Sequence, residues 1–326
     1  MNVRVLSASD VAKALPMREA IEAMREAFAS LAAGEAIVPE RARIDVAEPP
    51  GTALFMPAYS AKAGAVTVKT VSLFPQNRER GLPLISGLVC VFDGETGSPR
   101  ALLEAASLTA IRTGAVSGLA TDLLASPDAE TAAVFGAGTQ GRTQLQAVCA
   151  VRPIRRAWVY DVSPAAAERF AREMAESLSI DVQVADCPTC ALKESRIVCT
   201  ATVSDRPVFA DDAVLPGVHI NAVGSYKRTV QEIPDETVAR SWVVVDHRPA
   251  AMAEAGDILG PLDRKRITPD HIRAELGELV RGSVSPPGNG AVTLFKSVGV
   301  AVQDLFAAVV ALRNAERMNL GTTISL

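Results

Sequence analysis

The sequence predicts an α/β protein built on a doubly wound parallel sheet, with a second domain sharing the chain. Three observations carry this. Beyond Pro127, β-branched runs alternate with helical stretches in a βαβ rhythm. A glycine turn, Gly136-Ala-Gly138-Thr-Gln-Gly141, closes the first of those runs and opens a helix, and an acid, Asp161, ends the next run. The 326 residues exceed one typical domain of roughly 100 to 200 residues, so two cores are expected.

Taken in order, Pro16 to Gly34 reads as an amphipathic helix, because Ile21, Met24, Phe28 and Leu31 recur at spacings of three and four. Residues 35–100 build a sheet, with β-rich runs at Ala65 to Val71 and Leu88 to Phe92 punctuated by turns at Pro49-Pro-Gly51 and Asp93-Gly94. A second helix runs from Ser107, an expected N-cap, to about Leu124. The βαβ series then reads strand Thr131 to Phe135, helix Arg142 to Ala150, strand Arg156 to Tyr160, helix Pro164 to Leu178 and strand Ile180 to Val184. Apolar runs at Ile197 to Cys199, His219 to Val223 and Trp242 to Val245 suit strands buried on both faces. The last helix, Ser297 to Arg317, is long enough to leave this domain and pack back on the first.

Composition narrows the function. With 33 basic against 37 acidic side chains, a nucleic-acid or anionic-membrane partner is disfavoured and a small molecule expected. The opening MNVRVLSASD is no signal peptide and no stretch of eighteen apolar residues follows, which places the protein in the cytoplasm. Five cysteines in a chain this large are expected as reduced thiols. Cys187-Pro-Thr-Cys190 has redox or zinc spacing, but no second pair follows and the three histidines are scattered, so no metal is expected.

The glycine turn has the context of a Rossmann dinucleotide site. Gly136 permits the tight turn, Gly138 lets the backbone approach a pyrophosphate, and Gly141 lets helix and strand pack closely. Ala137, Thr139 and Gln140 complete the loop, whose helix N-terminus offers unpaired N–H groups to phosphates. Asp161, twenty residues after Gly141, suits the adenosine ribose hydroxyls and repels a 2′-phosphate, which favours NAD(H) while leaving NADP(H) open. The competing account is a glycine-rich turn with no ligand.

Beyond that turn the chain resembles the ornithine cyclodeaminase/mu-crystallin family over essentially its full length. Ordered blocks carry the resemblance: Pro39-Glu-Arg41, Met56-Pro-Ala-Tyr59, Val68-Lys69, Gly81-Leu-Pro83, Leu108-Thr-Ala-Ile-Arg-Thr113, Asn221-Ala-Val-Gly224, Gly256-Asp257, Glu275-Leu-Gly-Glu278 and Phe295-Lys-Ser-Val-Gly299. The family includes cyclodeaminases for ornithine or lysine, alanine dehydrogenases and reductases of cyclic ketimines, and a mammalian member binds thyroid hormone. The resemblance implies a discontinuous α+β substrate-binding and dimerisation domain, residues 1–117 with 305–326, a Rossmann NAD(P)-binding domain, residues 118–304, and a homodimer. It also implies an active site in the cleft.

By the same resemblance, Arg41, Lys69 and Arg112 hold the substrate carboxylate, with Arg43 an alternative to Arg41. Their chemistry agrees, because an α-imino or α-amino acid must be gripped by its carboxylate for its α-carbon to face a nicotinamide. Read without the family, Lys69 is a lysine on the polar side of an edge strand and Arg112 a solvent-facing helix residue. Glu104 matches an acidic position at the substrate amine or a proton relay, against the plain reading of a surface carboxylate. Thr200, Thr202, Val223, Lys296 and Ser297 match blocks bordering the nicotinamide.

One departure sorts the family's activities. Cyclodeaminases and the related alanine dehydrogenases carry an aspartate two residues after the Asn-Ala-Val-Gly block, where this chain has Tyr226. Amine oxidation needs a base near the amine, and a tyrosine with a reference pKa near 10 is a poor one. Reduction of a cyclic imino acid such as Δ1-pyrroline-2-carboxylate is therefore expected, with Tyr226 shaping the pocket or donating a hydrogen bond. A cyclodeaminase or amino-acid dehydrogenase using Glu104 or water is the alternative, and a non-catalytic nucleotide-binding protein the third reading.

Overall fold

The computed structural model describes residues 1–288 and 290–325, which divide into two compact units, one of residues 1–112 with the chain from 300 onward and one between them. The first unit opens with β1 (Asn2–Leu6), α1 (Ala8–Ala14) and α2 (Met17–Ala32). Ser7 caps α1 in a capping box with Asp10, and Gly34, at φ 72°, ends the α2 segment. Then come β2 (Ala36–Ile37), β3 (Ala42–Val46), β4 (Gly51–Ser60), β5 (Ala65–Leu73), β6 (Ile85–Asp93) and β7 (Pro99–Glu104). Along β5 Ala65, Thr67, Lys69 and Val71 point to the buried face. This corrects the plain sequence reading of Lys69. Strand β5 pairs with β4 and β6 on its two sides, so it is no edge, and its lysine is on the inward face because Lys69 is in phase with Ala65 and Val71 rather than with Val66 and Val68.

Helix α3 (Ala105–Leu124) begins two residues before the expected Ser107 cap. Glu104 is the capping group instead. Its carboxylate accepts from the Ala106 N–H at 2.7 Å, the Ser107 N–H at 2.8 Å and the Ser107 hydroxyl at 2.5 Å, which satisfies donors that the first helical turn leaves open.

In the second unit, β8 (Thr131–Phe135), α4 (Thr139–Val151), β9 (Arg156–Tyr160), α5 (Pro164–Leu178), β10 (Asp181–Val184), α6 (Pro188–Leu192) and β11 (Ile197–Thr200) form the βαβ series. Helix α4 starts at Thr139 rather than Arg142, because Gly138 itself is its N-cap. Next are β12 (His219–Ala222), α7 (Asp235–Arg240), β13 (Trp242–Val245), α8 (Arg248–Glu254), α9 (Gly256–Asp263), β14 (Ile272–Glu275), α10 (Leu276–Val280) and β15 (Thr293–Lys296). All eight strands are parallel in the order β10-β9-β8-β11-β12-β15-β13-β14. The strand order reverses between β8 and β11, and it is outside the carboxyl ends of strands at such a point that open α/β sheets take their ligands. Strands β11, β12 and β15 are buried along their whole length, so the polar side chains they carry, such as His219 and Asn221, must find partners within the protein.

The chain returns to the first unit through α11 (Ala301–Met318) and β16 (Thr322–Ser325). The helix starts four residues later than expected, since Lys296 ends β15 and Gly299, at φ 80°, breaks the path. Helix α11 packs on α2 and across β4, β5 and β6. The first unit's sheet runs β16-β1-β7-β6-β5-β4-β2, with β3 also on β4.

The expectation of five reduced cysteines fails at Cys187 and Cys190, which form a disulfide. Cys187 is the N-cap of α6, and the first helical turn brings Cys190 back to a Cα–Cα distance of 5.1 Å, within disulfide reach. His219 is a buried hydrogen-bond link between Thr293 and Asn221, its pKa pushed down to about 3 by burial. Among the described residues, no helix is long and apolar enough to cross a membrane and no three metal-ligating side chains gather.

Candidate active site

The glycine turn between β8 and α4 has the shape its sequence calls for. Gly136 sits at φ 100°, and a Cβ there would meet the Ala201 carbonyl at 2.5 Å. A Cβ on Gly141 would collide with the Gly136 carbonyl, so this residue sets how closely helix and strand pack. Around Gly138, by contrast, nothing lies within 4 Å of a Cβ position, leaving its backbone open to a ligand. No side chain caps α4 and its first turn holds no acid, so its N–H groups and positive dipole end suit a phosphate.

Asp161 stands just past β9 and ties this turn together. Its Oδ2 accepts from the Ala137 N–H at 2.8 Å and its Oδ1 from the Ser163 N–H at 2.9 Å. Each carboxylate oxygen retains a lone pair, which is what binding a ribose diol needs. The cradle and the acid together fit a dinucleotide.

At the carboxyl ends of β11 and β12 the organising group is one the sequence reading missed. Glu232, fully buried, accepts from the Thr202 N–H (2.7 Å) and hydroxyl (2.8 Å), the Thr200 hydroxyl (3.1 Å) and the N–H groups of Gly224 (2.8 Å) and Ser225 (3.0 Å). Thr200 and Thr202 therefore act on Glu232, and Val223 extends β12 by donating its N–H to the Thr200 carbonyl. Burial first, then the charge of Asp257, raise the Glu232 carboxyl above its usual range, against the pull of Lys296 and the Thr202 donors. Lys296 is wholly buried, paired with Asp257 at 2.8 Å and donating to the Ser225 carbonyl at 2.5 Å. Ser297 donates to Asp246 at 2.7 Å. Ser225 is thus held through its N–H by Glu232 and through its carbonyl by Lys296, one residue before Tyr226, which is 39% exposed. No local sequence signal marks Glu232, because its five donors come from four residues 7 to 32 positions away.

In the first unit β5, α3 and α11 bring cations together. Lys69 and Arg112 are 2% and 6% exposed, which excludes a solvent-facing Arg112. Between them lies a second missed residue, Asp304. Its Oδ2 is 2.7 Å from Lys69 Nζ and its Oδ1 accepts from Arg112 Nε at 3.0 Å, while Gln303 Oε1 accepts from Arg112 Nη1 at 2.5 Å. Burial lowers the Lys69 pKa to about 8; Asp304 opposes the drop, and Arg112 and Arg41 add to it. Burial would raise the Asp304 carboxyl, but Lys69 and Arg112 override it and hold it below the usual carboxylate range. Arg41, just before β3, is half-buried and close enough for its charge to act on Lys69. Arg43 is exposed and engaged at 2.7 Å with Asp45, so Arg41 is the arginine associated with the cluster. The buried pair Lys69 and Arg112 against the single carboxylate of Asp304 leaves a surplus positive charge, and desolvated surplus charge calls for an anion.

Each of these clusters agrees with what the chain is similar to. The family model of the ornithine cyclodeaminase/mu-crystallin family matches residues 1–319. The chain belongs to that family. Among its curated members, Δ1-pyrroline-2-carboxylate reductase of Bacillus cereus is 36% identical over 322 residues, 98% of this chain and 99% of that one. Among solved members, the Thermococcus litoralis Δ1-pyrroline-2-carboxylate reductase in complex with NADH and L-proline is 41% identical, with a TM-score of 0.95 over 99% of this chain and all of the other. An archaeal alanine dehydrogenase dimer with bound NAD is 30% identical, with a TM-score of 0.93 over the full length of both. The mixed α/β fold with a doubly wound parallel sheet is thus the fold of the family.

Proposed function

We propose that the protein reduces a cyclic imino acid of the Δ1-pyrroline-2-carboxylate type to the corresponding cyclic amino acid, using NAD(H). One observation carries the reading: two buried cations, Lys69 and Arg112, hold more positive charge than Asp304, the carboxylate between them, neutralises. That suits a substrate with one carboxylate. The likeness to reductases from Bacillus cereus and Thermococcus litoralis supports it.

The residues fall into three tasks. Arg112, Lys69 and Arg41 bind the carboxylate and so fix which face of the C=N bond is presented. The glycine turn, Gly136 to Gly141, holds the pyrophosphate on the N-terminus of α4, and Asp161 takes the ribose hydroxyls and disfavours a 2′-phosphate. Thr200, Thr202 and Val223 shape the nicotinamide side, with Lys296 and Ser297 supporting it from within. Bound NADH supplies the hydride. The imine carbon receives that electron pair, and the nitrogen keeps the proton with which the iminium entered.

Tyr226 stands where the cyclodeaminases carry aspartate, and a tyrosine is by nature a poorer base than a carboxylate there, which weighs against an amine-oxidising cyclodeaminase. It serves as a hydrogen-bond donor or a wall of the pocket, and Glu104, spent on capping α3, is left to a secondary role. A cytoplasmic homodimer belongs to the same reading, supported by the dimeric archaeal neighbour. The test is direct. Purified protein with NADH or NADPH and Δ1-pyrroline-2-carboxylate should oxidise NADH and form proline. No turnover with five- or six-membered cyclic ketimines, together with ammonia release from ornithine, would overturn the proposal in favour of a cyclodeaminase.

A further inference from the structure

The Lys69–Arg112 cluster contains two residues that the function just proposed does not use. Asp304 and Gln303 lie in the first turn of α11, an 18-residue helix, and both are buried and turned onto Arg112. Asp304 spans the two cations with one oxygen on each. Gln303 uses its carbonyl on Arg112 Nη1, which fixes the amide's orientation and leaves its Nε2 buried without a protein partner. With Nε–H and one Nη1 proton engaged, Arg112 keeps three of its five N–H donors unbonded among the described residues, and Lys69 keeps two of its three protons.

We propose that Asp304 and Gln303 are the positioning residues of the carboxylate clamp: they lock Arg112 and Lys69 so that a defined set of donors faces the ligand. The inference rests on the clamp reading above. Four features support it. A guanidinium held at two of its nitrogens cannot rotate about its last bonds, so binding costs less ordering. The carboxylate occupies the positive end of a helix dipole, which stabilises it without another cation. It also keeps two like charges close together in a buried space, where they would otherwise repel. Finally, the orphaned Nε2 of Gln303 adds one more donor at the same place.

The roles separate by charge. The charged groups acting on Lys69 are Asp304 from α11, Arg112 from α3 and Arg41 ahead of β3. Asp304→Asn removes the one anion among them and leaves Lys69 facing only cations. Gln303→Leu takes away an acceptor and a donor without changing charge.

Steady-state kinetics with Δ1-pyrroline-2-carboxylate across pH, and calorimetric titration of L-proline into protein saturated with NAD, read both variants. For Asp304→Asn we expect KM and the proline Kd to rise at least about tenfold, an NADH KM within about twofold of the parent, and a high-pH limb of kcat/KM displaced toward acid by about one unit or more. For Gln303→Leu we expect a rise of about three- to tenfold in KM with the pH limb unmoved. A residue serving only the fold would lower the melting temperature and leave the pH limb in place. A folded Asp304→Asn protein with parental KM, proline Kd and pH limb would overturn the inference; so would a parental KM in Gln303→Leu, should the aspartate variant not fold. If the parent protein turns over no ketimine, the function reading falls, while proline binding still decides the clamp.

Discussion

The protonation of Lys69 is the sharpest handle on this site. Moving its ammonium into the protein lowers its pKa from 10.5 to about 8, chiefly by desolvation. At about 1.4 kcal/mol per unit this is roughly 3 kcal/mol held against the charged form. The sign follows for folding: the unfolded chain binds the proton more tightly, so the stability deficit is present below about pH 8 and is relieved as pH rises toward 10.5. For the substrate it is the reverse, because a neutral amine cannot hold a carboxylate. The kcat/KM for a cyclic imino acid should therefore fall above about pH 8 with a limiting slope of about tenfold per unit. The assay is NADH absorbance at limiting imine, from about pH 6 to about pH 10. Lys69→Arg is the control, since a guanidinium stays charged throughout and should flatten that limb whatever its absolute rate. A limb of the same midpoint in Lys69→Arg would assign the titration to the substrate imine and refute the argument; so would a parent profile flat to pH 10.

The other expectations are independent of pH. Arg112→Ala removes a charge-assisted contact of about 1.5 to 3 kcal/mol and should lower kcat/KM for the imino acid by about 10- to 150-fold, while fluorescence titration shows NADH binding within about twofold of the parent. Gly141→Ala drives a methyl into the Gly136 carbonyl, so NADH affinity should fall at least about tenfold and unfolding in urea should register a loss of about 1 to 3 kcal/mol. Glu232→Gln sets an amide NH2 against either the Thr202 N–H or the N–H groups of Gly224 and Ser225, whichever oxygen it replaces; a loss of about 1 to 3 kcal/mol in stability and a lower kcat are expected, and parental values in both would show that these loops hold without the carboxylate.

Much of this was legible from local sequence. The nucleotide half announces itself because a tight turn, a close helix–strand approach and an exposed backbone each exclude side chains, so three glycines at Gly136, Gly138 and Gly141 are required within six residues. The buried strands β11 and β13 are equally plain, since a parallel strand covered on both faces reads as a near-continuous apolar run. Element starts are less legible. Ser107 looked like a cap, but Glu104 reaches forward to two N–H groups and begins α3 earlier.

The sequence by itself determined the Rossmann turn and its acid, the family and the identity of the cations Lys69 and Arg112. Tertiary structure alone decided that Asp304 serves those cations and that Glu232 holds the loops beyond β11 and β12. Asp304 lies 192 residues after Arg112 in the chain and Glu232 meets segments on either side of it, so their roles exist only where distant strands and helices converge. Electrostatic partnership depends on distance through space and on exclusion of water, and neither is written in the local order of residues.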